Sequence, residues 1–234
     1  MFQSSLPVYG SLHAAARCLS GGPLFITDSP GYHNIEVLTQ MCAPSQSGAL
    51  LALQPHGMAR ALNPFLGYND GRLLCMRNHH RVLGLPRSSY FFGTFNVSQT
   101  AVMELVPLSD LVEEDGEFLL TAASTGLPKL LSKEEMRSAF LTEDLQPGGW
   151  EVWTATPVFE MAGIKLAVAG LLGKITGAAA LRRMDFHCVE TEASRSVKVS
   201  VELSAAGTLG SRLPYSGTHR TKSVIRHLLL GARP

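Results

Sequence analysis

The sequence lacks a strong charge of either sign. Its 234 residues carry 20 basic and 19 acidic side chains, which gives a formal net charge of +1 at pH 7. Proteins that bind nucleic acid or anionic membranes electrostatically concentrate positive charge on one surface. We therefore expect neither nucleic acid nor a membrane among the partners of this chain.

Cysteine is scarce and widely spaced. The four cysteines stand at positions 18, 42, 75 and 188. No two of them form the Cys-x-x-Cys spacing of zinc or redox sites, which disfavours both kinds of motif. Their apolar neighbours predict small buried side chains in an intracellular protein, with disulfide bonds as the alternative.

Long uninterrupted apolar runs are missing as well. The longest run, residues 162–181, contains Lys165 and Lys174. Two lysines within a run disfavour a membrane span, so we expect a pair of buried strands joined by a glycine turn. Residues 1–5 lack the basic and then apolar pattern of a secretory signal. We expect a cytoplasmic protein.

What the chain does have is enough apolar sequence for a sizeable core. Hydrophobic residues make up 45% of the chain and charged residues 17%. That balance is typical of globular domains and is not that of a disordered chain.

The first 45 residues have the pattern of an α/β unit. A helix is predicted over 11–19, ended by Gly21 and Gly22, and Leu24–Thr27 predicts a short strand buried on both faces. Ser29-Pro30-Gly31 predicts a turn, and residues 33–42 predict a second helix with Ile35, Leu38 and Cys42 on one side. Asp28 then lies where barrel enzymes place site residues, directly after a strand.

The remainder has the pattern of an all-β domain. Residues 46–71, rich in Pro, Gly, Ser and Asn, predict a linker or extended loop. Residues 72–205 predict an antiparallel β-sandwich because short strand-like segments follow one another without long helices. A surface helix is predicted over 132–144, with Ser132 and Glu135 forming a capping box, and residues 206–234 form a basic tail. The predicted strands are 72–76, 90–97, 102–106, 117–122, 150–159, 164–172, 184–190 and 196–203.

One stretch closely resembles a known family. His13-Ala-Ala-Ala-Arg-Cys-Leu-Ser-Gly-Gly-Pro, followed by Asp28-Ser-Pro-Gly31, resembles a motif of raffinose synthases and seed-imbibition-type proteins, which are α-galactosidase-like members of glycoside hydrolase family 36. More moderate likenesses follow in 72–78, 93–96, 149–153 and 168–178, with Met76 where the family usually has Trp. The resemblance implies that residues 1–45 end a catalytic (β/α)8 barrel and that 72–205 form the β-sandwich behind it.

The resemblance implies a retaining transfer or hydrolysis of α-galactosyl groups, with a galactoside or oligosaccharide as substrate and no metal or organic cofactor. Retaining glycosidases use two carboxylates about 5 Å apart. In the family these are aspartates in Lys-x-Asp and Arg-x-Ser-Asp-Asp segments, and neither segment occurs in this sequence. We therefore assign no catalytic residue. We expect the chain to be the C-terminal portion of such an enzyme, inactive alone, with an incomplete sequence of an active protein as an alternative.

Asp28 is the candidate substrate-binding residue. Its carboxylate could accept a sugar hydroxyl at the mouth of the site. The alternative is that it caps the Asp-Ser-Pro-Gly turn, which is a frequent role of aspartate.

Two further patterns have a structural and a functional interpretation. His56, His79 and His80 could suggest a metal site, but adjacent residues of a strand point to opposite sides, so a solvated loop is the preferred interpretation. Trp150 and Trp153 should also face opposite sides of one strand. If the chain is instead a non-catalytic module that binds carbohydrate or protein, exposed aromatic residues should line one sheet face, with Tyr90, Phe91 and the two tryptophans as candidates.

Overall fold

A computed structural model describes residues 1–161, 163–191, 194–212 and 228–229. Strands in several antiparallel sheets dominate these residues, and helices are short and few among them. This architecture is consistent with the predicted β-sandwich. Every helix in the described part of the chain falls short of the length and apolarity that a membrane crossing requires.

The first predicted helix is confirmed as α1, Tyr9–Ser20. It ends at Gly21, which adopts the left-handed conformation with φ 71°. A Cβ atom at this position would also come within 2.0 Å of the Gly57 carbonyl oxygen. Glycine is therefore required twice here, by the backbone conformation and by the close approach of the following chain.

The prediction of a buried strand at Leu24–Thr27 is wrong. Ile26 forms only an isolated parallel bridge with Phe2. Phe25 is 60% exposed and Ile26 is 42% exposed. An apolar run becomes a buried parallel strand only where neighbouring strands flank it, and the described residues supply no such neighbours on this segment beyond Phe2.

The second helix, α2, spans Ile35–Met41 and begins at Asn34, whose side chain accepts a hydrogen bond from the Val37 amide at 3.2 Å. The prediction of a helix is confirmed, but the predicted buried face is wrong. Val37 and Met41 are buried, whereas Ile35 is 66% exposed. The helix is rotated so that its middle and its end contact the core.

Short strands interrupt the predicted linker. Strand β1, Cys42–Pro44, pairs with β2, Leu50–Ala52, and β3 is Arg60–Ala61. Leu53, directly after β2, is buried in the main core. Composition predicts a loop here, but it does not show which of its residues, such as Leu53, are buried in the core.

The largest sheet has the strand order β3-β4-β5-β10-β7-β8, with antiparallel pairing throughout. Strands β4, β5, β7 and β10 each overlap a segment predicted as a strand, whereas β3 and β8 do not. The strands are β4 Leu74–His80, β5 Ser89–Phe95, β7 Phe118–Ala122, β8 Pro128–Leu131 and β10 Trp150–Pro157.

Both faces of this sheet are covered. Phe91 and Phe95 of β5 point into a core that includes Leu19 of α1, while Tyr90 and Phe92 point into a second core on the other face. This is the period-2 alternation of a strand that is buried on both sides. Gly93 gives α1 its close approach, because a Cβ there would lie 2.6 Å from Leu19 Cδ2.

The second face is covered by a two-stranded ribbon and a short helix. Strand β6, Val102–Pro107, pairs with β9, Phe140–Leu145, and α3 spans Lys133–Ser138. The predicted capping box of Ser132 and Glu135 is confirmed. The predicted extent of the helix to residue 144 is wrong, because the chain returns as β9 from Phe140 onward.

Two smaller sheets complete the described fold, in the orders β11-β12-β15 and β13-β14-β16. Within the apolar run 162–181 the second predicted strand is wrong, because β12 is followed by a 3-10 turn at Gly177–Ala180. Most of the predicted basic tail, 213–227 and 230–234, lies outside the described residues. The strands are β11 Phe159–Met161, β12 Ile164–Leu171, β13 Leu181–Thr191, β14 Ser194–Leu203, β15 Leu209–Arg212 and β16 Leu228–Leu229.

Cysteine burial follows the prediction only in part. Cys18 is fully buried, and burial raises the pKa of its thiol to about 12, so it behaves as a small apolar side chain. Cys188 is exposed, which contradicts the prediction for that position. All four thiols are free.

Candidate functional site

Asp28 lies between the amino-terminal segment and the start of α2. Two backbone hydrogen bonds hold that segment beside it, from the Phe2 amide to the Phe25 carbonyl at 3.0 Å and from the Thr27 amide to the Phe2 carbonyl at 2.9 Å. The predicted turn follows, closed by a 3.0 Å bond from the Tyr32 amide to the Ser29 carbonyl. The Asp28 side chain is fully buried between these elements.

Both carboxylate oxygens of Asp28 are occupied. Oδ1 accepts from the Ser5 amide at 3.1 Å and from the Ser5 hydroxyl at 3.0 Å. Oδ2 accepts a short hydrogen bond from the Ser4 hydroxyl and lies 3.2 Å from His33 Nδ1. Ser4 Oγ also accepts from the Asn34 amide at 2.9 Å. The cluster therefore joins the chain start to the first turn of α2.

These contacts determine the charge of the site. Burial of the Asp28 carboxyl raises its pKa, but the hydrogen bonds that it accepts outweigh burial, so the pKa lies well below the usual range. The carboxylate is ionised at physiological pH and can only accept hydrogen bonds. A proton donor in catalysis needs the opposite shift, so Asp28 is suited to holding a hydroxyl group and unsuited to acting as an acid.

Sequence reasoning missed the partners of Asp28. Ser4 and Ser5 lie more than 20 positions upstream of it, so no local pattern connects them to the turn. His33, five positions downstream, is the one partner that spacing could have suggested. The turn-capping interpretation is also incomplete, because Asp28 accepts hydrogen bonds from Ser4 and Ser5 near the chain start.

The two buried glutamates of the sandwich are held inside it. Glu143 is 4% exposed and accepts a 2.5 Å hydrogen bond from Trp153 Nε1. Burial raises the pKa of Glu143. Glu151 is 8% exposed and accepts hydrogen bonds from the amide and the hydroxyl of Ser124. These hydrogen bonds hold both carboxylates inside the fold, Glu143 on β9 and Glu151 on β10.

The aromatic residues predicted as a binding surface are part of the packing. Tyr90 and Phe91 are 4% and 0% exposed. Trp150 packs on the first core and Trp153 on the second, which confirms that they face opposite sides of β10. Other aromatic residues are exposed: Phe65 (93%) and Tyr68 (76%) in the loop before β4, and Phe140 (58%) on β9.

The histidine prediction is half right. His79 is exposed and His80 is 2% exposed, so the two neighbours do point to opposite sides. They lie on strand β4, however, and the solvated loop is wrong. Across the described ranges, no group of three or more His, Cys, Asp or Glu side chains is arranged to hold a metal ion.

Comparison with known proteins adds the decisive observation for the amino-terminal region. A family profile described as raffinose synthase or seed imbibition protein Sip1 matches residues 1–59. That range contains Asp28 and all of its partners. Residues 1–59 are therefore similar to raffinose synthase-type proteins.

The relatives agree with this assignment. A probable galactinol–sucrose galactosyltransferase 6 of Arabidopsis thaliana is 49% identical over 47 residues, which are 20% of this chain and 6% of that protein. The galactinol–sucrose galactosyltransferase of Pisum sativum is 38% identical over 58 residues, 25% of this chain and 7% of the relative.

The likeness to raffinose synthase-type proteins continues at a lower level into the sandwich. The probable galactinol–sucrose galactosyltransferase 5 of Arabidopsis thaliana is 22% identical over 213 residues. This alignment covers 80% of the present chain and 26% of the relative. The chain thus spans about a quarter of the length of that relative.

Proposed function

We propose that this chain forms part of an enzyme that transfers or hydrolyses α-galactosyl groups in raffinose-family oligosaccharide metabolism. The observation that carries the proposal is the match of residues 1–59 to the raffinose synthase profile, together with the folded Asp28 cluster inside that range. The reaction would be a retaining double displacement through a galactosyl-enzyme. Galactinol and sucrose, which the names of the relatives contain, are the candidate donor and acceptor.

In this proposal residues 1–45 are the terminal strand–helix unit of a (β/α)8 barrel. The exposure of Phe25 and Ile26 supports it, because large apolar side chains on a short extended segment are usually covered by neighbouring strands. Among the described residues the segment pairs with Phe2 alone, through one bridge and two backbone hydrogen bonds. Additional barrel strands would bury these side chains and complete the pairing.

Asp28 would bind substrate at the mouth of that barrel. Its ionised carboxylate is a strong acceptor for a sugar hydroxyl. His33 is the partner best placed to give way, because its side chain is 42% exposed while that of Asp28 is buried. A hydroxyl that replaced His33 on Oδ2 would leave the bonds from Ser4 and Ser5 in place.

We further propose that this chain alone does not catalyse the reaction. The Lys-x-Asp and Arg-x-Ser-Asp-Asp segments that would supply the carboxylate pair are absent from its sequence. The test is galactose release from raffinose and from an aryl α-galactoside, and transfer from galactinol to sucrose, by the purified 234-residue chain. The pea galactosyltransferase is the positive control. We expect turnover from the control and none from this chain.

Release above background by this chain would overturn the proposed inactivity. The variant Asp28→Asn would then be measured first, since loss of turnover in it would place a reacting carboxylate at position 28. A matched variant, Asp144→Asn at an exposed position of β9, should keep wild-type turnover.

A second function, carbohydrate binding without catalysis, is supported by the exposed aromatic loop. Phe65 and Tyr68 present ring faces to solvent, and Asn63 and Asp70 fix the loop through bonds to the Phe65 and Gly67 amides at 3.0 and 2.7 Å. Aromatic faces beside amide and carboxylate groups suit sugar rings. Calorimetry with raffinose should show binding that Phe65→Ala and Tyr68→Ala remove and that Phe140→Ala, another exposed aromatic, retains. No heat of binding would reject this function.

A further inference from the structure

A groove of about 700 Å³ lies where three parts of the chain meet. The segment after β2, the end of β4 and the region of β13 and β14 form its walls. It is large enough for a small organic ligand and lies apart from Asp28. The polar residues that line it are Gln54, His56, His80, Arg81, Arg182 and Ser204.

His80 provides an unused hydrogen-bond acceptor in this wall. Its side chain is 2% exposed, and its Nε2 lies 2.7 Å from the Leu181 carbonyl oxygen. A carbonyl can only accept, so Nε2 carries the hydrogen and Nδ1 has a free lone pair. Within the described part of the chain Nδ1 has no hydrogen-bond partner. A buried polar atom without a partner is costly, and a ligand or an ordered water would satisfy it.

The environment of His80 keeps this acceptor uncharged. Burial lowers the pKa of His80 to about 4, so the ring is neutral at physiological pH. His56 stacks on it with ring centroids 4.2 Å apart and planes 10° from parallel, and His56 itself is exposed. The buried imidazole of His80 is thus covered on the groove side of the stack by an exposed side chain and not by the core.

The groove also presents two uncompensated cations. Arg81 and Arg182 are exposed, and neither makes an ion pair with any described carboxylate. The neighbouring Arg183 differs, since its guanidinium binds Asp185 at 2.7 Å. Guanidinium groups with no internal partner beside a cavity are suited to oxyanions, which they bind in a bidentate manner.

We propose that this groove binds a small phosphorylated polyol. The phosphate group contacts Arg81 and Arg182, and a hydroxyl group donates to His80 Nδ1 directly or through one water molecule. The combination of a neutral buried acceptor with two cations selects a ligand that has both a hydroxyl donor and an oxyanion. The site is separate from the proposed galactosyl transfer and does not depend on it.

The test is calorimetry of the 234-residue chain with glucose 6-phosphate, inorganic phosphate and glucose as probes. We expect glucose 6-phosphate to bind most tightly, phosphate more weakly and glucose not measurably. Arg81→Gln and Arg182→Gln should each weaken glucose 6-phosphate binding about tenfold or more, because each removes a charge-assisted contact. Arg60→Gln, an exposed arginine on β3 with the same charge change, should leave binding within about twofold.

Nuclear magnetic resonance of the unmodified chain gives a second readout that no variant can compromise by misfolding. Glucose 6-phosphate should shift the amide signals of residues 54–56, 80–83 and 179–182 and leave those of residues 28–34 unchanged. No binding of glucose 6-phosphate at millimolar concentration would overturn the proposal. Equal binding by the Arg81→Gln and Arg60→Gln variants, or shifts confined to another surface, would also overturn it.

Discussion

The amino-terminal 59 residues have the stronger likeness to known proteins but the less complete strand pairing. The β-sandwich has the weaker likeness but the more complete strand pairing. The first region matches the raffinose synthase profile, yet its apolar segment 24–27 has one bridge and exposed side chains. The sandwich region falls within an alignment of 22% identity, yet its main sheet is covered on both faces. Sequence likeness and strand pairing therefore do not go together in these two regions.

The boundary between the two regions is not a boundary in packing. Leu19, Ala14 and Ala15 of α1 are fully buried in the same core as Phe91 and Phe95 of the sandwich. The helix of the amino-terminal region is therefore part of the sandwich core, whereas the segment 24–27 that follows it pairs with Phe2 alone among the described residues.

The largest expected effect separates these two parts of the amino-terminal region. Leu19→Ala should lower the free energy of unfolding by roughly 2–5 kcal/mol, because it leaves a cavity between α1 and the sheet. Phe25→Ala, a larger truncation on an exposed side chain, should change it by less than about 0.5 kcal/mol. Urea denaturation measures both. Equal losses in the two variants would contradict the distinction between the packed helix α1 and the exposed segment 24–27.

The second-largest expected effect is a loss of folding stability in acid, which originates at His80 in the sandwich. The unfolded chain protonates His80 near pH 6.5, whereas the folded chain does so only near pH 4. Stability should therefore fall as pH decreases from 6.5 to about 4, by about 3 kcal/mol from this group, and level off below. His80→Gln should remove this slope, and the exposed His79→Gln should retain it. Denaturation midpoints at several pH values provide the measurement.

The third effect concerns the Asp28 cluster. Ser4→Ala should cost about 1–3 kcal/mol, because it removes a buried hydrogen bond to a carboxylate. It should also raise the pKa of Asp28. A depressed carboxyl pKa stabilises the fold above the unfolded value of 3.8 and the benefit is lost below it, so Ser4→Ala should flatten the acid limb. Ser5→Ala is the control, since the Ser5 amide keeps its bond; a larger loss there would contradict the geometry.

The smallest effect lies at the cap of α3. Ser132→Ala should lower the free energy of unfolding by about 1 kcal/mol through loss of the capping box. The variant Ser138→Ala, at an exposed position in the last turn of the same helix, should cost less. Thermal denaturation of the two variants measures both losses. Equal losses would mean that the capping box does not stabilise the helix end.

Much of the sandwich could be predicted from the sequence. All eight predicted segments contain a strand, because alternation and turn residues report local geometry directly. The spacing of Trp150 and Trp153 placed them on opposite faces for the same reason.

What could not be predicted depends on partners that are distant in the chain. The apolar segment 24–27 indicates burial but not whether flanking strands are present. The return of residues 140–145 as β9 depends on pairing with β6. The hydrogen bonds of Ser4 and Ser5 to Asp28, and the contact of His80 with Leu181, span 23 to 101 positions. Local periodicity contains no information about such contacts.

Amide hydrogen exchange is the most direct test of the claim that the amino-terminal strand segment lacks its partners while the sandwich is complete. We expect the amides of residues 24–26 to exchange rapidly in the 234-residue chain, and those of residues 90–95 to be protected up to the global free energy of unfolding. Slow exchange throughout residues 24–26, comparable to that of β5, would show that the segment is already fully paired and would contradict the account.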